Sequence, residues 1–238
     1  MDSPSPLATC EISTDLASAE LIKYAANAFL SLKISYINEI GLLAERVGAN
    51  ISHVARGMGL DARIGTRFLQ AGIGWGGSCF GKDTAALVAT ASEYGLDAGI
   101  VVAARETNRK QRERVVEKLL HELKILKGRT IGLLGLAFKP DTDDLREAPA
   151  LDIARKLLER GARVKAHDPV AMERFRHENP DLDITLTETA AAVAEDADAD
   201  GAGAAVEVVE VVRLVALGAE LLAVGLRRAL HLAHLHVV

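Results

Sequence analysis

Apolar residues in the first part of the chain recur at the spacing of an α-helix. Between residues 15 and 47 there is no proline, and apolar positions three or four apart run through the segment at Leu21, Ala25, Ala28, Leu32, Tyr36, Ile40, Leu43 and Val47. This pattern predicts one helix of roughly 50 Å at 1.5 Å per residue. Since one small domain does not need a helix of that length, we expect part of its apolar stripe to face a second copy of the chain.

The same reasoning predicts three further helices, over residues 51–57, 82–94 and 98–126. Asn50 is expected to cap the first of them, and a glycine-rich loop at residues 59–81 precedes the second. We therefore predict an all-helical central dimerisation domain over residues 15–126.

At Gly128 the pattern changes to that of a parallel sheet. Strands are predicted at residues 130–136, 163–167 and 185–186, and helices at residues 149–160 and 189–196. The expected fold class is α/β, with the helical domain followed by a partial Rossmann-like parallel-sheet domain over residues 127–198. The domain is predicted to be incomplete, because no further hydrophobic strand with turn residues follows.

The two ends of the chain differ from its middle. Residues 1–14 are expected to be a disordered N-terminal remnant. Residues 201–238 contain only Ala, Val, Leu, Gly, Glu, Arg and His, a bias expected of GC-rich DNA read out of frame. We interpret residues 199–238 as a low-complexity tail that follows a frameshift near residues 197–203. The charges within this tail argue against a membrane span.

Composition narrows the class of protein. Hydrophobic residues make up 49% and charged residues 26% of the chain, as in ordinary globular proteins. A net charge of -5 without a basic cluster argues against nucleic-acid binding. The first residues do not form a signal peptide, so a cytoplasmic location is expected. Two cysteines are too few for a disulfide framework, and the three late histidines lack the partners that a metal site needs.

Cys79 is the strongest candidate for chemistry. It follows Gly72–Gly77, a segment that formally matches the dinucleotide fingerprint G-x-G-x-x-G. We reject that match, because the fingerprint needs a strand before it and a helix opening on its last glycine. Cys79 is expected three residues before a helix, near Lys82 and Asp83, where helix amides and the ammonium group favour a nucleophilic thiolate. The alternative is a small buried apolar residue.

Three other polar groups are candidates for a functional site on the basis of their spacing and charge. Lys23 and Asn27 stand four residues apart, hence on one helix face. The segment Lys139–Arg146 places two cations after the first strand, where α/β sheets bind ligands. From the residues alone, both groups also fit solvated surface. Residues 105–114 are predicted to be an exposed helix face without chemistry.

Four segments, taken in order, resemble the UDP-glucose/GDP-mannose dehydrogenase family of nucleotide-sugar 6-dehydrogenases. They are residues 19–27, 61–65, 76–83 and 138–146. The resemblance runs from about residue 14 to about residue 198, and Gly81 stands where bacterial members usually have proline. Nothing in the sequence resembles the family's N-terminal NAD-binding domain, its catalytic Thr and Glu, or its segments beyond residue 198.

The resemblance implies a covalent mechanism that uses two NAD to oxidise a C6 alcohol to a carboxylate. Cys79 would attack the aldehyde, Lys23 and Asn27 would stabilise the oxyanion, and Asp83 would activate water. Lys82 and Arg146 would touch NAD. The implied substrate contacts are Lys23, Asn27, Arg63, Phe68, Leu69, Gln70, Ala71, Gly72, Gly76 and Lys139, with Arg63 reaching into the neighbouring subunit's site.

UDP-glucose, converted to UDP-glucuronate, is the substrate that the resemblance favours, on the basis of Phe80; GDP-mannose is an alternative. The chain alone is expected to be inactive. Its expected partners are a UDP-sugar, a second copy of itself and a separate NAD-binding domain, with no nucleic acid or membrane. A non-catalytic dimerisation and nucleotide-sugar-binding remnant remains the competing interpretation.

Overall fold

The computed structural model of the chain describes residues 12–195. Helix α1 covers Leu16–Val47, as the apolar spacing predicts. Its N-terminus is capped by Asp15, whose carboxylate accepts a hydrogen bond from the Ser18 N–H at 2.9 Å, and it ends at Gly48 with φ 70°. Both caps are typical of helix ends, because a side chain replaces a missing acceptor at one end and glycine tolerates the left-handed backbone at the other.

Three more helices pack around α1. They are α2 at Ile51–Gly59, α3 at Ser78–Glu93 and α4 at Gly99–Leu123. The predicted start of α3 at Lys82 is wrong, because the helix begins four residues earlier. Gly77 adopts φ 83° directly before Ser78, a conformation that glycine allows and that turns the chain into the helix at once.

The remaining elements form a small parallel sheet with helices. They are β1 at Thr130–Leu134, α5 at Pro149–Glu159, β2 at Arg163–His167, α6 at Met172–Glu178, β3 at Ile184–Leu186 and α7 at Ala190–Glu195. The strands lie in the order β1-β2-β3, and both pairs are parallel. The predicted α/β class is confirmed. Helix α6 was not predicted, since its seven residues are too few to show a helical period.

One apolar core joins the sheet to the helical region. Its fully buried members come from β1, α5 and the second half of α4, namely Val116, Leu119, Ile131, Leu133, Ile153 and Leu157. Because α4 contributes side chains to this core, the helix packs the helical region against the sheet region. The loop between β1 and α5 is thereby held beside the first turn of α3.

Within residues 12–195, no helix is long and apolar enough to cross a membrane. Of the disordered remnant predicted at residues 1–14, residues 12–14 are described and have no regular secondary structure. The rest of that segment and the predicted tail at residues 199–238 lie outside the described residues.

Candidate active site

Cys79 lies in the first turn of α3, as the second residue of the helix, and its side chain is exposed. It is therefore not a buried core residue. The sequence-based position three residues before a helix is corrected, since Gly77 starts the helix earlier. Cys79 therefore lies inside the first helical turn, and the unpaired N–H groups of such a turn favour a negative charge next to them.

Asp83 lies one helical turn after Cys79, hence on the same face of α3, and it is completely buried. The Asn27 side-chain amide donates a 2.6 Å hydrogen bond to its Oδ2. The Lys23 ammonium lies 3.9 Å from the same oxygen. The other oxygen, Oδ1, has no hydrogen-bond partner among the described residues. The structure thus brings three of the four predicted catalytic residues together and leaves one buried carboxylate oxygen without a hydrogen-bond partner among the described residues.

The glycine-rich loop beside Cys79 is held by one face of α4. Asn108 accepts a hydrogen bond from the Trp75 N–H at 2.7 Å and donates to the Trp75 carbonyl at 2.9 Å. At Gly74, with φ 111°, a Cβ would lie 2.5 Å from the Asn108 side-chain oxygen. Gln111 donates to the Gly72 carbonyl at 2.7 Å, and Arg112 donates to the Trp75 carbonyl at 3.0 Å.

The prediction that residues 105–114 form only an exposed face is therefore wrong. Arg105 also donates to the Gly81 carbonyl at 2.8 Å and to the Thr84 hydroxyl at 2.6 Å, inside the first turns of α3. The spacing of Arg105, Asn108 and Arg112 places these side chains on one helix face. The sequence shows this spacing, but the many charged residues of the segment led to the prediction that all of it is exposed.

The opposite face of α4 does match the prediction. Glu106, Arg109 and Glu113 form exposed ion pairs, with Arg109 bonded to Glu106 at 2.7 Å and to Glu113 at 2.6 Å. The hydrogen bond from Arg109 lowers the pKa of Glu106 to about 2. Exposed pairs of this kind contribute little to stability.

The predicted substrate loop, residues 68–72, lies between α1 and α3. Phe68 has φ 63°, a left-handed backbone that is unusual for an aromatic residue. Leu69 is buried, whereas Gln70 is exposed. The Gly72 N–H donates to the Asn38 side-chain oxygen at 2.7 Å. One end of the loop is therefore fixed by backbone hydrogen bonds, and Gln70 projects away from the core.

The loop between β1 and α5 packs against the start of α3. The Gly77 N–H donates to the Arg146 carbonyl at 2.9 Å. A Cβ at Gly76 would lie 2.3 Å from the Glu147 carbonyl oxygen, and a Cβ at Gly77 would lie 2.8 Å from the Phe138 ring. Glycine at these two positions therefore allows the two loops to approach this closely.

Four predicted binding residues remain, all of them cations at the surface, and they do not form one cluster: Arg63, Lys82, Lys139 and Arg146. Lys82 is exposed, one helical turn after Cys79. Lys139 is exposed and lies over the Phe138 ring, 5.0 Å from its centroid. Arg63 has 89% of its side chain exposed and pairs with its own neighbour Asp61 at 2.6 Å.

Arg146 forms a two-pronged contact with Asp144, with its closest distance at 2.6 Å. The hydrogen bond from Arg146 lowers the pKa of Asp144 to about 2. The same hydrogen bond raises the pKa of Arg146.

The described residues fit a dinucleotide only in part. Lys82 and Arg146 supply cations suited to phosphate groups, but no strand precedes Gly72–Gly77. A helix does open directly after Gly77, contrary to the sequence-based expectation. The dinucleotide fingerprint is still excluded at Gly72–Gly77, because the strand that must precede it is missing. Within residues 12–195, no group of three His, Cys, Asp or Glu side chains is placed to hold a metal.

Comparison with known proteins gives two domain matches. Residues 17–110 match the central domain of the UDP-glucose/GDP-mannose dehydrogenase family, and residues 132–210 match the UDP binding domain of the same family. The α/β fold, with a helix-start thiol beside a buried carboxylate, agrees with these two domain matches. The chain belongs to the UDP-glucose/GDP-mannose dehydrogenase family.

Individual relatives agree with that assignment. UDP-glucose 6-dehydrogenase TuaD of Bacillus subtilis is 59% identical over 161 residues, which is 68% of this chain and 35% of the relative. The UDP-glucose 6-dehydrogenase of Rhizobium meliloti is 48% identical, over 68% of this chain and 38% of the relative. The chain thus spans a little more than a third of these relatives.

A solved structure matches as well. The UDP-glucose dehydrogenase of the hyperthermophilic archaeon Pyrobaculum islandicum superimposes with a TM-score of 0.73 at 47% identity, covering 75% of this chain and 41% of that one. This relative shares the helical region followed by a parallel sheet.

Proposed function

We propose that the chain carries the thiol half of an NAD-dependent dehydrogenase that oxidises the C6 alcohol of UDP-glucose to the carboxylate of UDP-glucuronate. The observation that carries the proposal is the buried Asp83, bonded by Asn27 at 2.6 Å and faced by Lys23 at 3.9 Å, one turn from the exposed Cys79. The names of the relatives favour UDP-glucose as the substrate.

The residues divide the work as follows. Loss of a hydride and a proton from the C6 alcohol first gives the aldehyde, with the proton passing to solvent. The Cys79 thiolate adds to this aldehyde and forms a thiohemiacetal, and loss of the second C6 hydride then leaves a thioester. The Lys23 ammonium and the second N–H of the Asn27 amide, which is not engaged by Asp83, would hold the negative oxygen at C6. Each such donor typically contributes about 3–4 kcal/mol to stabilisation of the transition state.

Hydrolysis completes the reaction. The free Oδ1 of Asp83 would accept a hydrogen bond from water and take its proton as the water attacks the thioester carbon. The C–S bond then breaks, the thiolate of Cys79 is restored, and the carboxylate product leaves. Asp83 suits this role because it is buried, and because Lys23 and Asn27 compensate its charge on one side only.

NAD, the cofactor that the family implies, would accept the two hydrides. Lys82 and Arg146 would contribute contacts to its phosphates. Phe68–Gly72, Gly76 and Lys139 would contact the nucleotide sugar. Arg63, whose side chain is exposed and pairs with Asp61, would reach the site of a partner subunit.

The proposal is tested by NADH formation from UDP-glucose. Residues 1–238 alone should form none, because hydride transfer requires a positioned cofactor, an effect worth about 7–11 kcal/mol. Addition of the separately produced NAD-binding domain of a relative should restore turnover, with two NADH per sugar. Cys79→Ser should abolish that turnover, and Cys10→Ser should not. Turnover that survives Cys79→Ser would overturn the mechanism, and Cys79-dependent turnover by residues 1–238 alone would overturn the need for a further domain.

A non-catalytic nucleotide-sugar-binding module is the second candidate. The observation in its favour is that residues 12–195 contain no strand-turn-helix unit of the dinucleotide-binding kind. UDP-glucose binding without any restored turnover would support this alternative. The third possibility is a dehydrogenase that acts on GDP-mannose. NADH formation measured with GDP-mannose in place of UDP-glucose distinguishes it, because the two substrates differ in their bases.

We also propose that α1 forms a homodimer. Ile22, Phe29, Tyr36 and Leu43 recur every seven residues and are 48–60% exposed, the spacing of a helix-packing seam. Light scattering should give a mass near twice 25.3 kDa. Phe29→Glu should produce the monomer, whereas Leu96→Glu, an equally exposed apolar site outside α1, should not. A folded wild-type monomer would remove this proposal.

A further inference from the structure

Three aromatic rings connect the nucleophile to the substrate loop. The Phe80 ring lies 6.3 Å from the Phe68 ring and 5.9 Å from the Trp75 ring, measured between centroids, and both contacts are edge-to-face. Phe80 directly follows Cys79 in the first turn of α3. A single side chain next to the thiol therefore contacts Phe68, at the start of the substrate loop, and Trp75, three residues beyond its end.

The Trp75 end of this cluster is firmly fixed. The Trp75 indole N–H donates to the Ser35 hydroxyl at 3.0 Å, and that hydroxyl donates to the Ala104 carbonyl at 2.8 Å. The Trp75 N–H also donates to Asn108. Trp75 thus anchors the cluster to α1 and α4, and Phe80 packs against a buried, hydrogen-bonded ring.

The Phe68 end has no such support. Within residues 12–195, no hydrogen bond holds Phe68, and its backbone has φ 63°. A left-handed backbone is unfavourable for a bulky residue and persists only where the surroundings enforce it. The edge-to-face contact with Phe80 is one interaction of the Phe68 side chain that can hold this backbone in place.

We propose that Phe80 is a positioning residue, whose ring holds Phe68 and the following residues 69–72 in register with Cys79. The part of this inference that concerns the nucleotide sugar rests on the proposed function above. The part that concerns the loop does not, since it follows from ring contacts and backbone conformation alone. Phe80 therefore acts through Phe68 and need not touch the reacting atoms.

Trypsin reports on the loop directly, because it cleaves after the exposed Arg67, next to Phe68. Phe80→Leu should accelerate this cleavage about 3- to 10-fold, as the loss of an edge-to-face contact predicts. Phe80→Tyr should keep the wild-type rate. Cleavage after Lys127, in the turn before β1, should stay unchanged and so shows that the variant is folded. Tyr94→Leu, an exposed aromatic at the other end of α3, is the matched control.

A double-mutant cycle separates a direct contact from general loosening. Phe68→Leu alone, and Phe68→Leu combined with Phe80→Leu, should cleave at about the rate of Phe80→Leu alone. Accelerations that multiply in the double variant would overturn the inference, as would an unchanged rate in Phe80→Leu.

Calorimetry with UDP-glucose tests the ligand part on the same variants. We expect Phe80→Leu to weaken binding about 3- to 10-fold and Phe80→Tyr to restore it, while iodoacetamide still alkylates Cys79 at the wild-type rate. Unchanged binding beside faster cleavage would overturn the link between the loop and the ligand. If the wild-type chain fails to bind UDP-glucose, the proposed function falls, and the trypsin experiment still decides the role of Phe80.

Discussion

The helical region and the sheet region are built on different interiors. Polar side chains are buried among α1, α3 and α4, namely Ser31, Ser35, Asn38, Asp83, Thr84 and Asn108. The sheet region instead encloses a continuous apolar core, with Asp168 and Asn179 as its buried polar residues within the described part of the chain. The two regions therefore differ in how many polar side chains their interiors contain.

This difference assigns them different tasks. Burial of a large apolar side chain contributes about 1.5–3 kcal/mol without fixing a direction. A buried hydrogen bond contributes only about 0.5–1.5 kcal/mol, but it fixes the position of both partners. We therefore expect the apolar core to dominate the stability of the sheet region, and the buried hydrogen bonds of the helical region to hold the loops around Cys79.

The largest expected effect is a cavity in the sheet region. Leu157 is completely buried in α5, so Leu157→Ala should lower the free energy of unfolding by about 2–5 kcal/mol in a urea titration. The alkylation rate of Cys79 in the folded variant should not change. A clear change in that rate would mean that the two regions do not divide the work in this way.

The next-largest expected change in the free energy of unfolding concerns Asp168, one of the buried polar residues of the sheet region. Its carboxylate accepts hydrogen bonds from the N–H groups of Leu136, Ala137, Val170 and Ala171 at 2.7–3.2 Å. Asp168→Asn replaces one acceptor by a donor that faces these N–H groups. We expect it to lower the free energy of unfolding by about 1.5–3 kcal/mol at pH 7.

The Asp168 contribution should also depend on pH. Burial by itself raises the pKa of Asp168, but its four backbone donors outweigh burial, and the net shift is downward from 3.8. A carboxylate whose pKa is lower in the folded state stabilises the protein above the unfolded value and loses that contribution as the pH falls through the folded value. The wild type and Asp168→Asn should therefore converge below pH 3.8. A difference that persists in acid would show that the carboxylate charge is not its source.

Asn108→Ala is expected to give the smallest change in the free energy of unfolding but the largest change in the loop beside Cys79. Asn108→Ala leaves the Trp75 N–H without its partner, while Arg112 still bonds the Trp75 carbonyl. Urea titration should show a loss of about 1–2 kcal/mol, with faster trypsin cleavage after Arg67. Arg109→Ala, the exposed neighbour on α4, is the control and should change neither. Equal effects of the two variants would erase the contrast between the regions.

The sequence predicted the elements better than it predicted their contacts. The helix at Leu16–Val47 and strand β2 at Arg163–His167 match the expected bounds closely, because long apolar periods and clear turn residues define them. The start of α3 was missed by four residues. That start depends on the backbone of Gly77 and on its hydrogen bond to Arg146, a partner almost 70 residues away that no local pattern reveals.

The candidate site shows the same limit. Lys23 and Asn27 look like surface residues in the sequence, and only the fold brings Asp83 to them. Asn108 and Arg112 were hidden within a charged segment whose other face is solvated. Phe80 was noted only for substrate preference, because its contact with Phe68 requires the left-handed turn that the structure shows.

The central claim is that Cys79 is a reactive thiol within a nucleotide-sugar site, and alkylation tests it most directly. Iodoacetamide at neutral pH should label Cys79 faster than Cys10, as measured by mass spectrometry of the peptides, and saturating UDP-glucose should slow the labelling of Cys79 alone. Labelling of Cys10 while Cys79 stays inert, or labelling of Cys79 at a rate that UDP-glucose does not change, would contradict the account.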